Sequence, residues 1–113
     1  MFGFFRRRSM RDVTATELHG MIDRGEAIVV DVREPDEFAG GHIPGAINLP
    51  LSRFDPAALP DPGSRTLVLN CAGGKRSAMA LDRCAVAEAA VDTHLAGGFG
   101  AWRQAGLPVV QEG

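Results

Sequence analysis

The sequence predicts an α/β domain built on a parallel sheet, and three observations predict it. Ile28, Val29 and Val30 are consecutive apolar residues, as is the run Leu67, Val68, Leu69; strands covered on both faces read this way, whereas half-exposed strands alternate. Helix-like segments separate the strand-like ones, which is the order of a parallel sheet with crossover helices. The chain has 113 residues, enough for one core and too few for two ordinary domains.

The elements follow in order. MFGFFRRRSM opens the chain, and residues 1–11 are expected to be a flexible apolar and basic tail. Phe2, Phe4 and Phe5 beside three arginines also suit weak contact with an anionic membrane face, and the segment lacks the order of a secretory signal. Residues 12–113 are expected to form the single domain, with Asp12 and Val13 starting a short strand. Thr14 and Glu17 have capping-box spacing, and Leu18, Met21 and Ile22 share one side of the helix that Gly25 ends. Ala27–Val32 is a strand and Pro35–Ala39 one helical turn. Gly40, Gly41, Pro44 and Gly45 then favour a loop, and Ala46–Leu49 an extended piece. Leu51–Leu59 is helix or turn, closed by Pro60, Pro62 and Gly63. Thr66–Asn70 is the next strand. Residues 76–90, alanine-rich and free of Gly and Pro, read as one helix. Val91–Leu95 forms a last strand, Gly97 and Gly98 break it, and Phe99–Gln104 is a short helix.

Composition excludes several classes. The net charge of −2 argues against a general nucleic-acid binder, and with Arg6, Arg7, Arg8 and Arg11 gathered near the start the remaining chain is markedly acidic. The cations Lys75 and Arg76 stand out in that acidic body. Two cysteines, Cys71 and Cys84, make neither a disulfide framework nor a zinc site by themselves. A reducing, cytoplasmic setting follows most simply, and no metal or cofactor is expected.

The informative stretch is NCAGGKRSAM, Asn70–Met79. Cys71 falls just beyond the C-terminal end of a strand, where open α/β sheets gather their ligands. Gly73 and Gly74 let backbone N–H groups turn inward, and a helix begins at once with its free N–H groups aimed at the loop. The loop Ala72, Gly73, Gly74, Lys75, Arg76, Ser77 is thus a cradle for an anion, either a bound oxyanion or Cys71 as thiolate. Both the helix start and the cations lower a thiol pKa and make a better nucleophile. It is not a phosphate-binding Walker loop, since GxxxxGK[ST] is absent. Cys84 lies inside the helix, roughly 12 Å beyond Arg76 along its axis, and belongs to the core. His19 is expected to be exposed, and His42, in a tight turn, to fix its loop by hydrogen bonding. His94 sits at the end of the last strand. A Cys–His pair requires His42 or His94 to fold toward Cys71.

Four pieces resemble the single-domain rhodaneses, a sulfurtransferase family: Asp31–Val32–Arg33 with Glu37–Phe38; Gly41–His42–Ile43–Pro44–Gly45–Ala46; Cys71 to Ser77; and Gly97–Gly98–Phe99 with Trp102. They appear in the family's order and the resemblance covers about Val13 to Pro108. It implies a five-stranded, mostly parallel sheet flanked by helices. It implies that Cys71 takes the outer sulfur of an anionic donor such as thiosulfate, holds it as a persulfide and passes it to cyanide, a thiol or a protein acceptor. Ala72 to Arg76 would surround the persulfide with N–H donors, and Lys75 and Arg76 would bind the donor anion. Asp31, Arg33 and His42 would support the site, and Trp102 would pack behind the loop. Related cysteine phosphatases place Arg one residue further from Cys, as C-x5-R; Cys71 and Arg76 give C-x4-R, too tight a ring for a phosphate. Phosphatase or arsenate reductase activity, and a catalytically weak binding module, are the alternatives.

Overall fold

A computed structural model describes residues 10–111. Strand β1, Arg11–Val13, leads into helix α1, Ala15–Asp23. The capping box forms as its spacing predicts: Thr14 Oγ1 accepts the Glu17 N–H at 3.1 Å, and the Glu17 carboxylate accepts the Thr14 N–H at 2.8 Å. These bonds satisfy two N–H groups that the first turn leaves unpaired. The expected tail lies outside the described residues except for Met10 and Arg11. Arg11 already belongs to β1, where its N–H donates to the Asp92 carbonyl at 2.7 Å.

Strand β2, Ala27–Asp31, is followed by the one-turn helix α2, Pro35–Ala39, and the two-residue strand β3, Ile47–Asn48. The stretch expected as helix or turn is two 3-10 turns, Leu51–Arg53 and Pro56–Ala58. Strand β4, Thr66–Asn70, leads through the cysteine loop into α3, Lys75–Val86; β5, Thr93–Leu95, and α4, Gly98–Gln104, complete the fold. Helix α3 is shorter than the sequence predicts. Glu88 takes a left-handed φ of 59°, the Ala89 N–H reaches back to the Cys84 carbonyl at 2.8 Å, and the Glu88 N–H to that of Ala85 at 3.0 Å. This is the helix-ending motif that glycine usually serves, so nothing in the residue types announces it.

The five strands form one sheet in the order β1-β5-β4-β2-β3, and every strand pairing among the described residues is parallel. Side chains along each strand alternate between its faces. Val30, Leu67 and Leu69 pack with Cys71, Ala80, Leu81 and Cys84 on the α3 side. Val29, Val68 and Leu95 pack with Leu18, Phe99 and Trp102 on the side of α1 and α4. Both faces are covered, which is why the strands read as unbroken apolar runs. Each fully buried Leu or Val contributes about 1.5–3 kcal/mol. Cys84 is core, as expected. His19 is a correction: it is partly covered, because its ring meets the edge of Trp102 at 5.8 Å between centroids.

Candidate active site

Central strand β4 delivers Cys71 to the C-terminal edge of the sheet, with its side chain on the α3 face. The thiol is nearly covered, the residue keeping 1% of its surface exposed. Gly74, at φ 107° and ψ −15°, turns its N–H back so that it donates to Cys71 Sγ at 3.0 Å. Ser77 Oγ lies 3.6 Å from the same sulfur. Burial pushes the Cys71 pKa up. Hydrogen bonds from the Ser77 hydroxyl and from the backbone N–H groups of Ser77, Gly74 and Gly73 more than offset this, leaving the pKa below the ordinary thiol value. The site therefore favours the thiolate.

The far side of the loop is fixed by α4. Its Phe99 N–H donates to the Cys71 carbonyl at 2.7 Å and its Gly100 N–H to the Ala72 carbonyl at 3.0 Å. With these carbonyls held by α4, the following N–H groups are left for the sulfur. The contact requires Gly98: a Cβ there would stand 2.5 Å from the Cys71 carbonyl oxygen and 2.7 Å from Ala72, at a φ of 61°. The Gly97–Gly98 pair therefore does more than break a strand. It admits a helix start against the cysteine loop.

The two cations of the loop part ways. Arg76 forms a double hydrogen bond with Glu37 of α2, at 2.8 and 3.0 Å. The bonds from Arg76, against an opposing effect of burial, lower the Glu37 pKa to about 2, and Glu37 in turn raises that of Arg76. One edge of the Arg76 guanidinium is thus engaged by Glu37. Lys75 is exposed, and no hydrogen bond or ion pair ties it among the described residues. Ala72 and Gly73 are exposed as well. Ser77, fully buried, has its Oγ 3.1 Å from the Gly74 carbonyl and 2.8 Å from His94 Nδ1, both competing with the Cys71 sulfur for its one hydroxyl proton, while His94 Nε2 meets the Asp12 carboxylate at 2.9 Å. His94 thus reaches the neighbourhood of Cys71 only through Ser77.

Asp31 and Arg33 form a buried double hydrogen bond on the opposite face. Arg33 Nε donates at 3.0 Å and Nη2 at 2.8 Å to the carboxylate, and Nη2 also donates to the Gly41 carbonyl at 2.7 Å. The guanidinium covers the Phe99 ring at 4.4 Å. One arginine thereby joins β2, the Gly41–Ala46 turn and α4. His42 fixes that turn as expected: Nδ1 bonds the Phe38 carbonyl at 2.7 Å, the ring stacks on Phe38 at 3.7 Å, and its backbone pairs with Val110. Trp102 packs among Leu18, Ile43, Leu95 and Phe99, with Nε1 donating to the Pro108 carbonyl at 2.7 Å. It anchors α4, and the bonds to the loop come from the backbone of Phe99 and Gly100 rather than from the indole.

Sequence reasoning gave no site role to Glu37 or Asp12 and named His94 only as a conditional partner of Cys71. Glu37 was visible as an acid close to Arg33, but its pairing with Arg76 depends on how α2 meets α3. Asp12 and His94 become neighbours only through strand register. Among the described residues, no group of three or more His, Cys, Asp or Glu is placed to hold a metal, and no helix is long and apolar enough to cross a membrane.

Fold and loop together define a parallel α/β domain that carries a stabilised cysteine at the end of its central strand. The chain belongs to the rhodanese-like domain family, whose model matches residues 14–105. It is 50% identical over 84 residues to the uncharacterized protein slr1261 of Synechocystis sp., a match covering 74% of this chain and 47% of that protein, so the chain spans about half the length of this relative. A sulfurtransferase of Allochromatium vinosum is 33% identical over 90 residues, covering 80% of this chain and 84% of that one. A solved rhodanese-related protein from Thermoplasma volcanium matches with a TM-score of 0.76 at 32% identity, over 90% of this chain and 99% of its own.

Proposed function

We propose that this domain is a sulfurtransferase that moves a sulfane sulfur from thiosulfate, or a related anionic donor, to a thiophilic acceptor through a persulfide on Cys71. The observation that carries the reading is the set of hydrogen bonds around Cys71 Sγ, with the Gly74 N–H at 3.0 Å, which lowers the thiol pKa below its ordinary value and so makes the thiolate easier to form. Membership of the rhodanese-like family and likeness to a protein named sulfurtransferase support it.

In the first half-reaction the thiolate attacks the outer sulfur of thiosulfate. A sulfur–sulfur bond forms to Cys71, the bond to the sulfite sulfur breaks, and sulfite leaves with that electron pair. In the second, cyanide or an acceptor thiolate attacks the terminal sulfur of the persulfide, and Cys71 departs as thiolate. The N–H groups of Gly73, Gly74 and Ser77 offset negative charge on sulfur throughout. Lys75 supplies the free cation for the donor. Arg76, held by Glu37, adds its field from a fixed position.

The test is an intact mass after incubation of the reduced protein with thiosulfate. The expected gain is one sulfur, about 32 Da, lost again with cyanide and absent from Cys71→Ser. No gain with thiosulfate, mercaptopyruvate or a persulfide donor would reject sulfur transfer.

A further inference from the structure

One line of polar groups runs from the sulfur to the protein surface. Cys71 Sγ lies 3.6 Å from Ser77 Oγ, Ser77 Oγ 2.8 Å from His94 Nδ1, and His94 Nε2 2.9 Å from Asp12 Oδ1. Ser77 is fully buried and His94 nearly so, whereas Asp12 is exposed. Register places Asp12 beside His94 across β1 and β5. Leu95 and Val13 face the α1 and α4 side, which turns His94 and Asp12 toward α3.

Donor and acceptor rules limit the protonation states of this line. The Asp12 carboxylate only accepts, so His94 Nε2 carries a proton. Nδ1 then has two options. In a neutral imidazole it accepts the Ser77 hydroxyl proton, and Ser77 Oγ is left to accept from the Cys71 thiol. In an imidazolium Nδ1 donates to Ser77 Oγ, and the single hydroxyl proton, for which the Gly74 carbonyl at 3.1 Å is the competing acceptor, is released to donate to a Cys71 thiolate. The first state is thiol with neutral imidazole, the second thiolate with imidazolium. They differ only in the position of protons along the chain.

We propose that Ser77, His94 and Asp12 form a proton relay that ionises Cys71, on the reading that Cys71 is the sulfur-carrying nucleophile. The Sγ proton passes to Ser77 Oγ as the original Ser77 proton passes to His94 Nδ1. The electron pair of the S–H bond stays on sulfur, Ser77 remains a hydroxyl, and the imidazolium rests between Ser77 and Asp12. Ser77 touches the reacting sulfur; His94 and Asp12 are positioning residues that act through it. The groups facing His94 are Asp12 from β1, Ser77 from α3 and apolar Leu69 from β4. Arg76 of α3 is the further charge whose field reaches Cys71, and it is paired with Glu37. The arrangement differs from a direct Cys–His pair in placing a hydroxyl between thiol and ring.

The experiment is the rate of Cys71 alkylation by iodoacetamide against pH, read by the mass of the Cys71 peptide, with thermal melts as a check on folding. Alkylation follows the thiolate and needs no sulfur donor. Wild-type reactivity is expected to persist below the range of a free thiol. Ser77→Ala and His94→Gln are expected to move the profile upward by roughly one pH unit, about tenfold in rate at neutral pH. Asp12→Asn moves it the same way by less, and Ser77→Thr, which keeps the hydroxyl, restores it. A wild-type profile in folded Ser77→Ala or His94→Gln overturns the relay. If neither folds, Asp12→Asn decides, because its side chain is exposed: an unchanged profile there overturns the relay too. A displaced profile without persulfide from any donor keeps the relay and rejects sulfur transfer; persulfide formation with undisplaced profiles does the reverse.

Discussion

Two carboxylate–guanidinium pairs flank the cysteine loop, and their geometry is nearly the same. Arg33 meets Asp31 at 2.8 Å, and Arg76 meets Glu37 at 2.8 Å. Their surroundings differ. The side chains of Arg33 and Asp31 are 6% and 0% exposed, those of Arg76 and Glu37 32% and 37%. Bond length alone would rate the pairs equal; burial separates them. Water competes with the outer pair and screens it. At the inner pair, loss of one partner strands the other charge without water. The inner pair thus holds the frame, and the outer one sets where a loop cation sits.

The largest expected effect tests the inner pair. Arg33→Ala leaves Asp31 buried without its guanidinium and releases the Gly41 carbonyl. The expected cost is about 3–5 kcal/mol, read from urea unfolding, with little relief from salt. A loss below about 1 kcal/mol would put this pair in the same class as the outer one and dissolve the contrast.

Next comes the contact between α4 and the cysteine loop. Gly98→Ala places a methyl against the carbonyls of Cys71 and Ala72 at a left-handed φ. Strain of about 1–3 kcal/mol is expected, together with weakened bonds from Phe99 and Gly100. Slower alkylation of Cys71 than in wild type should accompany the lower melting temperature. Full reactivity at wild-type stability would show that the close approach of α4 is dispensable.

The legible part of this molecule was local. Consecutive apolar residues gave β2 and β4, Thr14 and Glu17 gave the start of α1, and Pro35 at the first helical position marked α2. The cysteine loop could be read because a thiol, two glycines and two cations are adjacent in the chain. What could not be read depends on pairing between distant segments. Asp12 meets His94 because β1 lies beside β5, and Arg76 meets Glu37 because α2 lies near the start of α3. The end of α3 escaped for a different reason: Glu88 adopts a conformation that its residue type does not advertise.

A smaller effect separates the two loop cations. Lys75→Ala is expected to raise the KM for thiosulfate about two- to fivefold, the scale of an exposed charge contact, with kcat nearly unchanged. The increase should shrink in high salt. Steady-state kinetics at two ionic strengths would check this, and an unchanged KM would return the donor-binding role to Arg76.

The smallest effect belongs to the outer pair and is best seen against pH. Hydrogen bonds from Arg76 hold the Glu37 pKa at about 2, against 4.5 for an ordinary glutamate, although partial burial works the other way. A carboxylate with a depressed folded-state pKa contributes stability that is fully present above the unfolded value and lost as pH falls through the folded one. The window therefore runs from about pH 4.5 down to about 2. With both side chains about one-third exposed, solvent screening keeps the contribution to roughly 1 kcal/mol or less. Comparing wild type with Glu37→Gln cancels the other carboxylates. Their difference in unfolding free energy should be greatest near neutral pH, decline across that window and shrink with added salt. A difference that stayed constant down to about pH 2 would mean that Glu37 acts by shape rather than by charge, and the outer pair would then resemble the inner one.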